Sequence, residues 1–193
     1  VDGRRDDILR LRDAGHILGS AIVELWLEDN GNRRKIVFSG DLGHADAPIL
    51  RDPEPPAAAP DALVLESTYG DRDHPDENPG PHLAEIIRRT FARGGSVVIP
   101  AFALGRTQDL LFHLSELALA GGLDPEAVFL DSPMAIRATE IYRQATPEFD
   151  EDTQALLKAD ANPLAVDRFR RCHTVEESKA LNAICHARYR PVT

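Results

Sequence analysis

Residues 48–60 hold five prolines and three alanines within thirteen positions. Proline fixes φ and removes a backbone donor, so such a run neither pairs inside a sheet nor continues a helix. It reads as a surface linker, and it separates two different hydrophobic patterns. Before it, Ile8–Arg12 alternates apolar and polar side chains, as a half-buried strand does. Ser20–Glu28 repeats that pattern with Ile22, Val23, Leu25 and Leu27, and Arg34–Ser39 returns after Asp29-Asn30-Gly31-Asn32. Residues 20–39 therefore predict a β-hairpin.

Beyond the linker, strands and helices alternate. Ala62–Glu66 is a continuous apolar run of the kind found in strands buried on both faces, and Ser96–Pro100 and Ala127–Leu130 predict further strands. Helices are expected over Ala84–Arg93, closed by Gly94-Gly95, and over Thr107–Leu119, stopped by Gly121-Gly122. Pro133–Ala145 follows with Ser132 as N-cap, then Pro147–Lys158. Thr174-Val-Glu-Glu177 is a capping box opening a last helix through about Ile184. This alternation predicts an α/β fold in which a parallel sheet is covered by helices, joined to a separate antiparallel N-terminal layer.

Composition narrows the function classes. The chain has 193 residues, 42% of them hydrophobic and 28% charged, which suits a soluble globular protein and not a disordered one. No apolar run approaches the roughly 20 residues that span a bilayer. Residues 1–7 carry no apolar segment of a signal peptide, and two cysteines make no disulfide framework, so a reduced cytoplasmic setting is expected. A net charge of −10 argues at first against nucleic acid. Residues 151–193, however, carry 7 basic and 6 acidic groups, so the acidity sits upstream. Arginine outnumbers lysine 19 to 3, a ratio more simply read as base composition than as phosphate recognition.

Three strings place polar residues at strand ends. In Asp13-Ala14-Gly15-His16-Ile17-Leu18-Gly19-Ser20, a histidine lies between two glycines, where the backbone can approach a ligand closely. His16 is either a metal ligand or a turn residue. In Phe38-Ser39-Gly40-Asp41-Leu42-Gly43, a carboxylate leaves a hydrophobic strand, free to reach a metal or to close an Asx-turn. A histidine and a carboxylate that each end a strand are how metallohydrolases collect ligands. In Leu65-Glu66-Ser67-Thr68-Tyr69-Gly70-Asp71-Arg72-Asp73-His74, a buried strand ends in glutamate. Glu66 then needs a histidine, a metal, or an arginine such as Arg72 or Arg106.

Together these strings resemble the β-CASP group of the metallo-β-lactamase superfamily, its RNA-cleaving branch. DAGHILGSA is similar to the third metallo-β-lactamase motif, FSGDLG to the fourth, and LESTYGDRDH to the first β-CASP motif. IPAFALGRTQDLL (99–111), LDSPMAIRAT (130–139) and HTVEESKALN (173–182) follow in the family's order. The resemblance implies residues 1–60 as part of a metallo-β-lactamase αββα sandwich plus linker, and 61–193 as an inserted β-CASP domain. It implies a two-zinc ribonuclease acting on RNA, with His16 on one zinc and Asp41 bridging both. Glu66 would be the catalytic acidic residue that orients a further histidine, and Arg106 and Ser132 would meet phosphates at helix N-termini, unless they are merely an ion-pair partner and an N-cap. The zinc ions would supply the positive field that the acidic chain lacks.

The family's His-x-His-x-Asp-His cluster is absent from the sequence, which has seven histidines in all. His16 and Asp41 make two zinc ligands where a catalytic zinc takes three from the protein. The expectation is an internal fragment that binds zinc weakly and is inactive alone, with a divergent tail after Ile184. A non-catalytic scaffold of the same family and another metallo-β-lactamase-fold hydrolase are the competing readings. The sequence leaves endo- or exonuclease action and a homodimer open. The Cys172-His173 and Cys185-His186 pairs are too far apart, with a helix between, to suggest a second zinc site.

Overall fold

The computed structural model of the chain describes residues 8–73, 78–124, 128–159, 162–164 and 169–188. The chain divides into two compact units, Val1–His74 with Pro147–Asp152, and Pro75–Thr146 with Thr153–Thr193. His74 and the residues after Arg188 lie outside the described residues, as does Ala127, the first residue of a predicted strand. No helix among the described residues is long and apolar enough to cross a membrane.

The first unit is built on a four-stranded sheet in the order β1-β2-β3-β4. The strands are β1 (Ile8–Asp13), β2 (Ala21–Asp29), β3 (Asn32–Phe38) and β4 (Ala62–Val64). β1, β2 and β3 pair antiparallel, and β4 joins β3 in parallel. The predicted hairpin forms because Asn30 and Gly31 both take positive φ, 51° and 78°, the backbone that a two-residue hairpin turn needs.

The strand register sorts the side chains onto two faces. Leu9, Leu11, Val23, Ile36, Phe38 and Val64 share one face through the pairs Leu11↔Val23, Val23↔Phe38 and Phe38↔Val64. Leu9 and Leu11 are about three-fifths exposed there, so β1 is not the half-buried strand its alternation predicts. The opposite face carries Ile22 and Val37, which pack with Ala14 and Leu42. On that face lies a buried ion cluster. Glu24, fully buried, accepts from Arg12 Nε at 2.9 Å and meets Lys35 Nζ at 2.6 Å. Arg12 also pairs with Glu54, and Lys35 donates to the Ala58 carbonyl, so the linker is tied down over this face.

β4 departs from expectation. Ala62–Glu66 reads as a doubly buried strand, yet Leu63, Val64 and Leu65 are 54–59% exposed. Asp61 decides the placement. Its carboxylate accepts from Lys35 N–H at 2.8 Å and Arg34 at 2.7 Å, and its own N–H donates to the Lys35 carbonyl. These contacts lock the run onto the edge of the first sheet, and an edge strand has only one neighbour to bury it.

The second unit contains α1 (Pro79–Ala92), α2 (Arg106–Leu119), β5 (Phe129–Leu130), α3 (Pro133–Gln144), most of α4 (Glu151–Lys158), β6 (Arg170–Arg171) and α5 (Val175–Arg188). β5 and β6 pair in parallel. α1 begins earlier than predicted because Asn78 caps it, accepting from Gly80 N–H at 2.8 Å, and Pro79 suits the first helical position. Ser132 caps α3, and Thr174 and Glu177 form the predicted capping box at α5. Buried Gln108 of α2 donates to Thr139 Oγ1 of α3 at 2.8 Å, joining the two helices. In place of a helix throughout Pro147–Lys158, a short 3-10 turn at Thr146–Glu148 precedes α4.

Ser96–Pro100 is not a strand, and Val98 is 79% exposed. The segment has no hydrogen-bonded neighbour among the described residues. It lines a cavity of about 730 Å³ together with Phe129–Asp131, Leu111 and Leu114. Its apolar character is that of a strand, but a strand exists only where a ladder partner does.

Replacing Glu24 with alanine leaves the buried Lys35 ammonium without its anion and Arg12 with Glu54 alone. The expected cost is roughly 3 kcal/mol, read from urea unfolding. Desolvation pushes the Glu24 carboxyl up, but hydrogen bonds from Lys35 and Arg12 outweigh it and hold the group below its ordinary 4.5. The resulting stabilisation is full above pH 4.5 and disappears as the pH falls through the folded value. Unfolding across pH should therefore show a flatter acid limb for Glu24→Gln than for the parent.

Candidate metal centre

Three loops meet at one end of the first sheet. The first follows β1 and carries His16. Ser20 Oγ accepts from the His16 and Ile17 N–H groups at 3.1 and 3.2 Å, and Gly15 takes a φ of +65°. These contacts shape the loop through its backbone and leave the exposed His16 ring with no hydrogen bond among the described residues.

The second loop leaves β3 through Ser39 and Gly40 and carries Asp41. It closes onto the first, with Gly43 N–H donating to the Ala14 carbonyl at 2.8 Å. A Cβ on Gly43 would collide with the Gly15 carbonyl, so only glycine permits this approach. Asp41 is exposed, and its carboxylate has no hydrogen bond or ion pair among the described residues. An Asx-turn would require such a bond, and none forms.

The third loop follows β4 and carries half-buried Glu66. One carboxylate oxygen accepts from Leu42 N–H at 2.8 Å. The other accepts from the Thr68 hydroxyl at 2.7 Å and the Thr68 N–H at 3.2 Å. The expected arginine partners are not used. Arg72 pairs with its neighbour Asp71, and the Arg106 side chain makes no hydrogen bond or ion pair among the described residues. The Thr68 hydroxyl, then the Leu42 and Thr68 amides, and last the charge of His16 hold the Glu66 carboxyl below its usual range. Glu66 is thus an anion fixed between two loops, and one that feels His16.

The structure brings together the loops of His16, Asp41 and Glu66 and places Arg106 and Ser132 in the second unit. Ser132 Oγ is occupied as the cap of α3, accepting from Ala135 N–H at 3.2 Å. Arg106 stands exposed at the first position of α2, whose cap residue Gly105 supplies no side-chain bond. Sequence reasoning missed the hydroxyls of Ser39 and Thr68, and it missed the Leu42 amide because a backbone donor leaves no residue signature. Cys172 and Cys185 are free thiols, and burial pushes the Cys172 thiol up.

An imidazole and a carboxylate, neither hydrogen-bonded among the described residues, suit zinc in kind and fall short in number. Among the described residues no group of three or more His, Cys, Asp or Glu side chains is gathered to hold a metal ion.

Substituting Gly43 with alanine should force the His16 and Asp41 loops apart at about 1–3 kcal/mol, lowering the melting temperature. Gly122→Ala is the control. An added Cβ there meets only the Leu117 carbonyl at 3.4 Å, so its effect should stay within about 0.5 kcal/mol.

Residues 107–191 match the Beta-Casp domain model. Ribonuclease TTHA0252 of Thermus thermophilus is 38% identical over 176 residues, covering 90% of this chain and 39% of that protein. Transcription termination factor FttA of Pyrococcus abyssi is 37% identical over 176 residues, covering 89% and 26%. An RNase J-like protein of Methanocaldococcus jannaschii is 35% identical over 154 residues, covering 78% and 35%. The chain therefore spans between 26% and 39% of the length of these relatives. With its strand-end loops in this order and a matched domain downstream of them, the chain belongs to the β-CASP metallo-β-lactamase family.

Proposed function

We propose that this chain carries part of the active site of a zinc-dependent ribonuclease that hydrolyses RNA phosphodiesters. The observation behind this reading is the meeting of three strand-end loops that carry an imidazole and a carboxylate with no hydrogen bond among the described residues. Relatives named as ribonucleases supply the substrate class. In this proposal the four-stranded sheet is one layer of a metallo-β-lactamase sandwich, and the β5–β6 pair belongs to the parallel sheet of the β-CASP domain.

His16 and Asp41 would be metal ligands, and bound zinc would supply Lewis acidity toward water and phosphate. Glu66, held ionised by Thr68 and Leu42, keeps spare acceptor capacity on the oxygen facing Leu42. That lone pair would suit a protonated histidine supplied from elsewhere. Arg106 would contact the RNA backbone, where a guanidinium fork matches phosphate oxygens. Ser132, already spent as a helix cap, is the weaker of the two phosphate candidates.

The shortfall to two donors favours a second reading, a binding subunit of the same family without catalysis. Zinc content and RNA cleavage separate the two. The 193-residue chain dialysed against buffer should retain well under one zinc and leave labelled RNA intact; stoichiometric retention would overturn weak binding. In the complete gene product, the ribonuclease reading requires cleavage that His16→Ala or Asp41→Asn lowers by roughly 100-fold or more. RNA binding without cleavage there decides for the binding subunit. Arg106→Ala should weaken RNA binding evenly across sequences and reduce the salt slope by about 1.

A further inference from the structure

Ser39 stands at the end of β3, is 4% exposed, and makes three hydrogen bonds. Its N–H donates to the Val64 carbonyl at 2.9 Å. Its hydroxyl donates to the Gly40 carbonyl at 2.7 Å and accepts from Glu66 N–H at 3.0 Å. Glu66 therefore grips the Asp41 segment at both ends. Its backbone N–H holds Ser39, and its carboxylate holds Leu42 N–H at 2.8 Å. Asp41 lies inside this bracket, preceded by Gly40 at a φ of +58°.

Thr68 completes the arrangement from the other side. Its hydroxyl and amide occupy the second Glu66 oxygen, so the carboxylate cannot rotate away from Leu42 without losing three bonds. The bracket fixes the backbone on each side of Asp41 while leaving the Asp41 carboxylate without a partner. That combination suits a ligand that must be rigid and unoccupied.

We infer that Ser39 and Thr68 are positioning residues for Asp41, acting through Glu66. The functional half of this inference rests on the reading of Asp41 as a zinc ligand; the bracket itself does not. Ser39→Ala removes the acceptor for Glu66 N–H, and Thr68→Val frees one side of the carboxylate. Thr68→Ser restores the hydroxyl and serves as the rescue.

Amide hydrogen exchange and zinc-titrated amide shifts, measured by NMR on the 193-residue chain, test the two halves separately. Exchange at Leu42 should rise by roughly 10-fold in Ser39→Ala and Thr68→Val, with β2 and β3 amides unchanged and Thr68→Ser at the parent level. The zinc concentration that shifts His16 and Asp41 should rise by roughly 10-fold in the same two variants. Thr68 is exposed, so its variants read the bracket even where Ser39→Ala disturbs folding. Unchanged exchange at Leu42 in Thr68→Val overturns the bracket. Faster exchange with unaltered zinc dependence overturns the positioning of Asp41. Zinc that shifts neither His16 nor Asp41 in the parent overturns the metal reading, while the exchange arm still decides the bracket.

Discussion

Between the Gly15 carbonyl and the Cα of Gly43 there is no room for a side chain, and that contact governs the rest of the first unit. It brings the loop after β1 against the loop after β3, with the Gly43 N–H on the Ala14 carbonyl. Ala14 is fully buried and packs with Ile22 and Val37, so the same contact closes a core and joins the loops that carry His16 and Asp41. Pro53 presses on Gly15 from the linker side, 2.7 Å from where its Cβ would be. A glycine pair, a small core and a proline-rich strap are therefore mutually dependent. Disturbing any of them moves His16 relative to Asp41.

What the sequence made legible follows from local chemistry. Asn30-Gly31 announces its turn because few other pairs accept positive φ twice in succession. The Thr174–Glu177 box and the Ser132 cap are readable because capping depends on side chains three residues apart. The failures lie where structure depends on distant partners. Ser96–Pro100 has the composition of a strand and no ladder, whereas Arg170–Arg171 has no apolar signature and still pairs with β5. Glu66 shows the limit at the site itself. The need for a partner was readable from its position after an apolar run, but the partners are two amides and a hydroxyl in place of an arginine.

The candidate chemistry is shared out between the units. His16, Asp41 and Glu66 belong to the first, while Arg106 and Ser132 belong to the second. The candidate metal ligands and the candidate phosphate contacts therefore sit in separate folding units, each with its own core. The first rests on the packing around Ala14, the second on helices tied together by Gln108 and Thr139. The buried polar pairs differ in kind as well. Charged Glu24 ties the first unit's stability to acid, and the neutral Gln108–Thr139 bond has no such dependence.

The apolar face of the four-stranded sheet has a colloidal consequence. Leu9, Leu11, Phe38 and Val64 present a greasy plane on a chain whose net charge is −10. Mutual repulsion between such charged chains opposes the approach of two such planes. Salt weakens that repulsion, since the screening length shrinks from about 10 Å at 0.1 M to about 3 Å at 1 M. The chain's second virial coefficient should accordingly turn from positive to negative with added salt, and light scattering would register the sign change.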